Sequence, residues 1–273
     1  MTYNDLLARL KDISPDDFAF EARVLVQSFT NFKISYLMAN KDTQIDCKEL
    51  EDALSARQRH VPLQYIVGKW DFYNQTYFVD EYCLIPRQDN ELLVELAVKL
   101  LPQGAHFADL CTGSGCVAIS TLCERVDTTA YAVDKFEGTL SLAKKNAEYN
   151  GVKDRVEMAL VDLLDSGDVL GEERFDAILS NPPYIRREVI DTLSDEVRRE
   201  PIAALDGGED GLIFYRRFVA DFQKYLKKDG FMLFEIGYDQ ADDLRNICES
   251  EGVACQIYKD YAGNDRVAKI FGF

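Results

Sequence analysis

The sequence predicts an α/β fold: a mostly parallel sheet covered by helices on both faces, preceded by a small helical module and a β-hairpin. Two observations carry this reading. From His106 onward, short apolar segments alternate with amphipathic ones, as in sheets whose strands are buried on both faces. Before that, roughly the first 60 residues show apolar spacing of three and four, and residues 68–87 are rich in aromatic and β-branched side chains. With 273 residues, 47% of them hydrophobic, the chain has material for one large domain and a smaller module.

The elements follow in order. YNDLLARLKDI places Leu6, Leu7, Leu10 and Ile13 on one helical face. Ser14 and Pro15 read as the N-cap and first turn of a second helix carrying Ala22, Leu25, Val26 and Phe29. In DCKELEDALSARQR, Asp46 and Glu49 have N-cap and N3 spacing ahead of Leu50, Ala53 and Leu54. These helices make up a module at residues 1–67. KWDFYNQTYFVDEYCLIPR reads as two strands around an Asn74-Gln75 turn, a hairpin linker at residues 68–87 that Pro86 ends. Residues 88–273 form the main domain, which opens with a helix burying Leu92, Leu93, Leu96 and Leu100.

Seven strands are then expected: HFADLC, TAYAVD, VEMALVD, FDAILS, GFMLFEIG, ACQIYK and RVAKIFGF. Helices are expected to begin near Gly115, Glu137, Glu188, Gly211 and Asp239. The last two strands are joined by KDYAGND with no helix between them, so the final strand is expected to enter antiparallel.

Composition narrows the function. The balance is 31 basic against 48 acidic residues, a net charge of -17. That sign disfavours phosphate backbones and suits a small molecule or a basic protein partner. The seven cysteines form no C-x-x-C pair, which reads as reduced thiols. His60 and His106 are the only histidines, so no metal site or Ser-His-Asp triad is expected. No apolar run approaches the roughly 20 residues of a membrane span, and the N-terminus does not read as a secretory signal. The expectation is a soluble, cytoplasmic protein.

The strand ends carry the chemistry. Open α/β sheets bind ligands there. GSGCVA at 113–118 matches G-x-G-x-x-A, and Asp134 ends the second strand. The loop of Cys111, Thr112, Gly113, Ser114 and Gly115, with Asp134, Asp162 and Leu163, is read as a nucleoside site. A dinucleotide and S-adenosyl-L-methionine both have an adenosine that Asp134 could hold. Asp109, Asp134 and Asp162 together suit the cationic sulfonium better, but aspartates alone do not decide between them, because Asp is also a common turn residue.

The fourth strand ends in Asn181-Pro182-Pro183-Tyr184, a tetrapeptide that resembles the motif of methyltransferases acting on planar nitrogens. More of the chain resembles the HemK-type protein-(glutamine) methyltransferases, which modify the Gly-Gly-Gln glutamine of peptide chain release factors. The resemblance runs through EAR at 21–23, PLQYIVG at 62–68, LIPRQDNELLVE, DLCTGSG, SNPPYI, EPIAALDGGEDGL at 200–212, FEIGYDQ at 234–240 and KDYAGNDRV at 259–267. It implies a Rossmann-like class I methyltransferase sheet, S-adenosyl-L-methionine as cofactor, a release factor as partner, and an N-terminal substrate-recognition module. It also implies that Asn181 and the Pro182 carbonyl accept the two amide hydrogens of the substrate, with the Tyr184 ring on its flat face. The chain departs from the family at Cys111, where glycine is usual, at Gln88 and Asn90, where proline and threonine are usual, and at Leu163, often aromatic. The alternatives weighed are a DNA or ribosomal RNA base methyltransferase, a cofactor-binding protein without activity, and a nicotinamide enzyme.

Overall fold

A computed structural model describes residues 1–273, which divide into two compact units, Met1–Lys69 with Ser194–Arg199, and Trp70–Leu193 with Glu200–Phe273.

The first unit contains α1 (Tyr3–Lys11), α2 (Phe18–Phe29), α3 (Ile34–Ala39), α4 (Lys48–Arg57) and α5 (Leu63–Val67). Thr2 and Asp5 form a capping box on α1, with the Asp5 amide donating to Thr2 Oγ1 at 3.1 Å and the Thr2 amide to Asp5 Oδ2 at 2.8 Å. Two expected caps differ. The Ser14 amide closes the end of α1 on the Leu10 carbonyl, so Ser14 finishes one helix and α2 starts only after Asp17. Cys47, not Asp46, precedes α4, and its thiol donates to the Phe29 carbonyl at 3.2 Å. Leu6, Leu10, Ala22, Leu25, Val26, Leu50, Ala53 and Leu54 form the core as their spacing required, while Leu7, Ile13 and Phe29 stay partly exposed.

Beside that core Arg57 is fully buried. Its Nε and Nη2 form a fork with Glu21 at 2.8 and 2.7 Å, Nη2 also reaches Glu196 at 2.6 Å, and Nη1 donates to the Val61 carbonyl at 2.7 Å. A buried guanidinium is tolerated only with its donors so matched.

The second unit opens at Trp70 within the hairpin of β1 (Lys69–Phe72) and β2 (Gln75–Phe78). Its turn is Tyr73-Asn74, one residue earlier than expected, with Tyr73 at φ 55. Then come α6 (Glu91–Leu100), β3 (His106–Leu110), α7 (Cys116–Glu124), β4 (Thr129–Asp134), α8 (Glu137–Tyr149), β5 (Val156–Leu160), β6 (Phe175–Ser180), the single turn α9 (Arg187–Ile190), α10 (Ile213–Asp221), β7 (Leu226–Glu235), α11 (Ala241–Ser250), β8 (Ala254–Lys259) and β9 (Asp265–Phe271). In α6 Leu93, Val94, Leu96 and Ala97 are buried and Leu92 and Leu100 only partly so, a face rotated from the expected one.

The sheet has seven strands in the order β5-β4-β3-β6-β7-β9-β8. β5, β4, β3, β6 and β7 pair in parallel and β9 runs antiparallel to both neighbours, as its helix-free connection predicted. The chain starts in the middle at β3, runs outward to β5, then crosses to β6. The order therefore reverses between β3 and β6, which opens a crevice at their carboxyl ends. One apolar cluster fills each face of the sheet. No helix is long and apolar enough to cross a membrane.

Among the bonds that fix the hairpin to the sheet domain, one side-chain amide makes three. Asn146 of α8 is fully buried; it accepts from the Phe78 amide at 2.7 Å and donates to the Phe78 carbonyl at 3.0 Å and the Ser114 carbonyl at 2.9 Å.

Arg57 supplies a stability test. Arg57→Ala leaves the Glu21 carboxylate buried without its partner, and equilibrium urea unfolding should show a loss of about 3–5 kcal/mol. A midpoint unchanged from wild type would mean that the cluster contributes nothing.

Candidate active site

The crevice at the switch point is a cavity of about 290 Å³ within the second unit. Its wall brings together Asp109, Cys111, Thr112, Gly113, Ser114, Asp134, Asp162, Leu163, Asn181 and Pro183. Gly115, Pro182 and Tyr184 are not on the wall.

The loop between β3 and α7 is shaped by backbone that side chains would obstruct. Gly113 and Gly115 have φ 56 and 82, and a Cβ on Gly115 would lie 2.8 Å from Ile119 Cδ1. Cys111 takes φ 57 without being glycine. The loop is pinned at each step: the Thr112 amide donates to the Val133 carbonyl at 3.0 Å, Thr112 Oγ1 to Asp109 Oδ2 at 2.6 Å, and the Gly113 amide to Asp134 Oδ2 at 3.0 Å.

Three carboxyl groups face this space in different states. Asp109 is 1% exposed, and burial pushes its pKa up to about 7 against hydrogen bonds from Thr112 and the Ala118 amide. Burial also raises Asp134, against the amides of Gly113 and Phe136. Asp162 is held low by Lys135, whose Nζ lies 2.5 Å from Oδ2. Each Asp134 oxygen takes one backbone amide, which leaves lone pairs for a pair of hydroxyls. Val161, Leu163 and Leu164 supply apolar wall nearby, and Phe136 adds a ring.

Beyond β6, Asn181 presents a side chain that makes no hydrogen bond to the chain, and the carbonyls of Asn181, Pro182 and Pro183 accept none. The loop is held from behind. Gln240 donates to the Tyr184 carbonyl at 3.0 Å and the Gly211 carbonyl at 3.2 Å, and accepts from the Gly237 amide at 2.9 Å. The 205–208 backbone exchanges amides with Ile185 and Arg187, as Ile185 N to Leu205 O, Gly207 N to Ile185 O and Arg187 N to Gly208 O, each at 2.9 Å. A Cβ on Gly207 would lie 2.7 Å from Tyr184 Cα, and one on Gly211 would collide with the Tyr184 carbonyl. This explains Gly207 and Gly211 of LDGGEDG.

Tyr184 does not offer its ring to the cavity. Its hydroxyl donates to Glu235 Oε1 at 3.1 Å, drawn there by a carboxyl group only 2% exposed. Burial pushes Glu235 up to about 7, with Arg266 opposing the shift, and pushes the Tyr184 phenol up as well. Sequence reasoning passed over Asn146, Gln240, Glu235 and Phe136, and also Glu200, which accepts from the Ile85 amide at 2.9 Å and from Arg87 to fix the cavity rim. For Glu235, Gln240 and Glu200 the available signal was their position in the segments FEIGYDQ and EPIAALDGGEDGL; Asn146 and Phe136 lie in neither.

Comparison with known proteins agrees with this architecture. The family profile described as Methyltransferase small domain matches residues 89–217, and PrmC N-terminal domain matches residues 3–68. A release factor glutamine methyltransferase of Clostridium acetobutylicum is 35% identical over 265 residues, 94% of this chain and 93% of that protein. One of Geobacter sulfurreducens is 37% identical, covering 85% of this chain and 81% of its own. Among solved structures, the hMettl16 catalytic domain in complex with an RNA hairpin superposes with a TM-score of 0.60 at 16% identity, over 95% of this chain and 92% of that one, a likeness of fold.

Asp109 and Glu235, the carboxyl groups pushed up to about 7, set a pH dependence, to which the raised Asp134 adds in the same direction. Both pKa values are higher folded than unfolded, so their contribution to stability is complete below the unfolded values near 4 and is lost as pH rises toward 7. The groups held low, such as Asp162, act only below that window. Urea unfolding at pH 5 and pH 8 should show lower stability at pH 8, by on the order of 3 kcal/mol per group. Glu235→Gln should flatten that slope; a slope equal to wild type would mean that Glu235 does not titrate there.

Proposed function

The chain belongs to the release factor glutamine methyltransferase family, and from that membership we propose that it methylates the side-chain amide nitrogen of the glutamine in the Gly-Gly-Gln motif of a peptide chain release factor. The family and the fold imply S-adenosyl-L-methionine as methyl donor. The observation that carries the proposal is Asn181: a side-chain amide without an intramolecular partner, on the wall of the same cavity as the glycine loop and Asp134.

The residues present fit that cofactor. Asp134 has lone pairs for the ribose hydroxyls, Phe136 and Leu163 offer flat and apolar surface for the adenine, and Asp109 lies buried on the wall nearer β3. When bound, the cofactor supplies an electrophilic methyl on a sulfonium that leaves as a neutral thioether.

The chain's own contribution is orientation. A glutamine amide nitrogen is a weak nucleophile because its lone pair is delocalised. Asn181 Oδ1 accepts one of its hydrogens and the Pro182 carbonyl the other, which returns electron density to nitrogen and aims it at the methyl carbon. As the N–C bond forms and the S–C bond of the donor breaks, the nitrogen gives up one N–H proton, which passes to solvent water. Pro183 keeps the Pro182 carbonyl stiff, and Gln240, Gly207 and Gly211 hold the loop from behind. Tyr184 serves as a buttress, its phenol fixed on Glu235.

The substrate is a protein in this reading. Every Lys or Arg on the cavity wall is already paired: Arg87 with Glu200, Lys135 with Asp162 and Arg187 with Asp206. A base methyltransferase would want such cations free for phosphates. The net charge of -17 suits a basic protein face. Residues 1–67 act as the recognition module, 68–87 as the linker and 88–273 as the transfer domain, in the cytoplasm, with neither membrane nor direct nucleic acid as partner.

Two substitutions test this. Asp134→Ala should weaken cofactor affinity by about 2–4 kcal/mol in calorimetry, and unchanged affinity would remove Asp134 from the ribose. Asn181→Ala should lower kcat for a Gly-Gly-Gln-bearing release factor by roughly 10²–10³ at saturating cofactor. Asn181→Asp should also slow transfer, since an added charge stabilises the sulfonium of the ground state more than the dispersed charge of the transition state. Wild-type single-turnover rates in both Asn181 variants would sink the mechanism. Tritium label from the cofactor that nuclease rather than protease releases from a treated extract would instead favour a nucleic-acid base as substrate.

A further inference from the structure

Two thiols meet at the far edge of the sheet, away from the cavity. α11 buries Ala241, Leu244 and Cys248, whose spacing puts them on one face. The helix ends at Ser250 and the chain folds straight back. The Gly252 amide donates to the Glu249 carbonyl at 3.1 Å and the Val253 amide to the Cys248 carbonyl at 3.0 Å, with Gly252 at φ 73. β8 then starts at Ala254 and runs along the sheet edge. Its alternation sends Cys255 and Ile257 to the side that α11 covers and Tyr258 to the other. Cys248 and Cys255 therefore enter the same apolar cluster, where the Cys248 thiol donates to the Cys255 sulfur. Both are free thiols, Cys248 fully buried and Cys255 half-buried.

The two sulfurs are not equivalent. The hydrogen bond from Cys248 holds the Cys255 thiol below its ordinary value, against burial, and the Arg245 guanidinium adds to the effect. Cys248, as the donor, is raised. Burial alone pushes the thiols of Cys83, Cys111 and Cys116 up. The thiolate is the reactive form of cysteine. The pair thus has a nucleophile on the solvent side and a second thiol directly behind it.

We propose that Cys248 and Cys255 are a reversible dithiol–disulfide site that reacts with a hydroperoxide. The Cys255 thiolate attacks one peroxide oxygen, the O–O bond breaks, and the other oxygen leaves as water or alcohol with the proton given up by the thiol. Cys255 is then a sulfenic acid. The Cys248 sulfur attacks it, the S–S bond forms, the S–O bond breaks, and the hydroxyl leaves as water with the Cys248 proton. Two thiols have lost two electrons and two protons, and the peroxide has taken them. The sulfurs need only close from contact to about 2 Å. A small dithiol reverses the reaction. The site lies at the opposite end of α11 from Gln240, the residue that holds Tyr184.

The test treats the reduced full-length protein with equimolar hydrogen peroxide, blocks free thiols with iodoacetamide and cuts the chain after glutamate. Cleavage at Glu249 and Glu251 puts Cys248 and Cys255 on different fragments, so only a disulfide keeps them together. The fragments should stay joined until dithiothreitol is added, while Cys47 and Cys123, also half-buried, are alkylated. Cys248→Ser should leave a sulfenic acid on Cys255 that dimedone captures. In urea the thiol contact is lost, and bridging should slow by about 10-fold. Alkylation of both cysteines in the wild type would overturn the proposal, as would dimedone on another cysteine in Cys248→Ser. Equal bridging rates folded and in urea would also overturn it, because closeness in sequence rather than the fold would then make the bond.

Discussion

The Pro182-Pro183 step has no N–H to give, so it cannot be held by the sheet it leaves, and much of the catalytic half of the molecule is arranged to hold it by other means. The Gln240 amide takes the Tyr184 carbonyl, and the 205–208 backbone pairs with Ile185 and Arg187. Both contacts require a backbone approach closer than a Cβ permits at Gly207 and Gly211. Two distant stretches of sequence are thereby tied to one tetrapeptide. The result is a loop that puts Asn181 on the cavity wall with its side chain unspent on secondary structure.

This arrangement explains what was legible in the sequence and what was not. Strand and helix order follows from apolar periodicity, and the antiparallel β9 follows from a connection too short for a helix. That the glycine loop, Asp134 and Asn181 meet at one cavity was legible because each stands at the carboxyl end of an expected strand. Caps were misplaced by one residue at Asp46, where the thiol of Cys47 takes a distant carbonyl at Phe29, and by three at Ser14, whose amide closes the preceding helix on Leu10. The anchor of Tyr184 was not legible for a related reason. Nothing in the order of residues announces that Glu235, 51 positions on, is buried beside it and takes its hydroxyl. Gln240 and Asn146 are amides whose partners are backbone atoms far along the chain, and a backbone partner leaves no signature in sequence.

Charge works at two scales. Over the whole surface the excess of acid favours a basic protein face. At the cavity the carboxyl groups are graded, with Asp162 held low by Lys135 and Asp109 raised by burial. A cation bound beside Asp109 would stabilise its ionised form, so the same burial that weakens the empty fold at neutral pH strengthens the site for a cationic ligand.

Cys111 shows how firmly the loop is set before any ligand binds. A left-handed backbone costs a non-glycine residue roughly 1–2 kcal/mol, and the chain keeps Cys111 at φ 57. Its neighbours account for this. Thr112 is tied to Val133 and Asp109, Gly113 to Asp134, and the Ser114 carbonyl to Asn146, so residues 112–114 leave the preceding one little freedom. Each bond contributes about 1 kcal/mol net, enough together to exceed the strain. The contacts that offset it are the same ones that aim the loop at the cavity. A site assembled in this way spends little binding energy on ordering itself, and more of it remains for holding the reacting atoms in line.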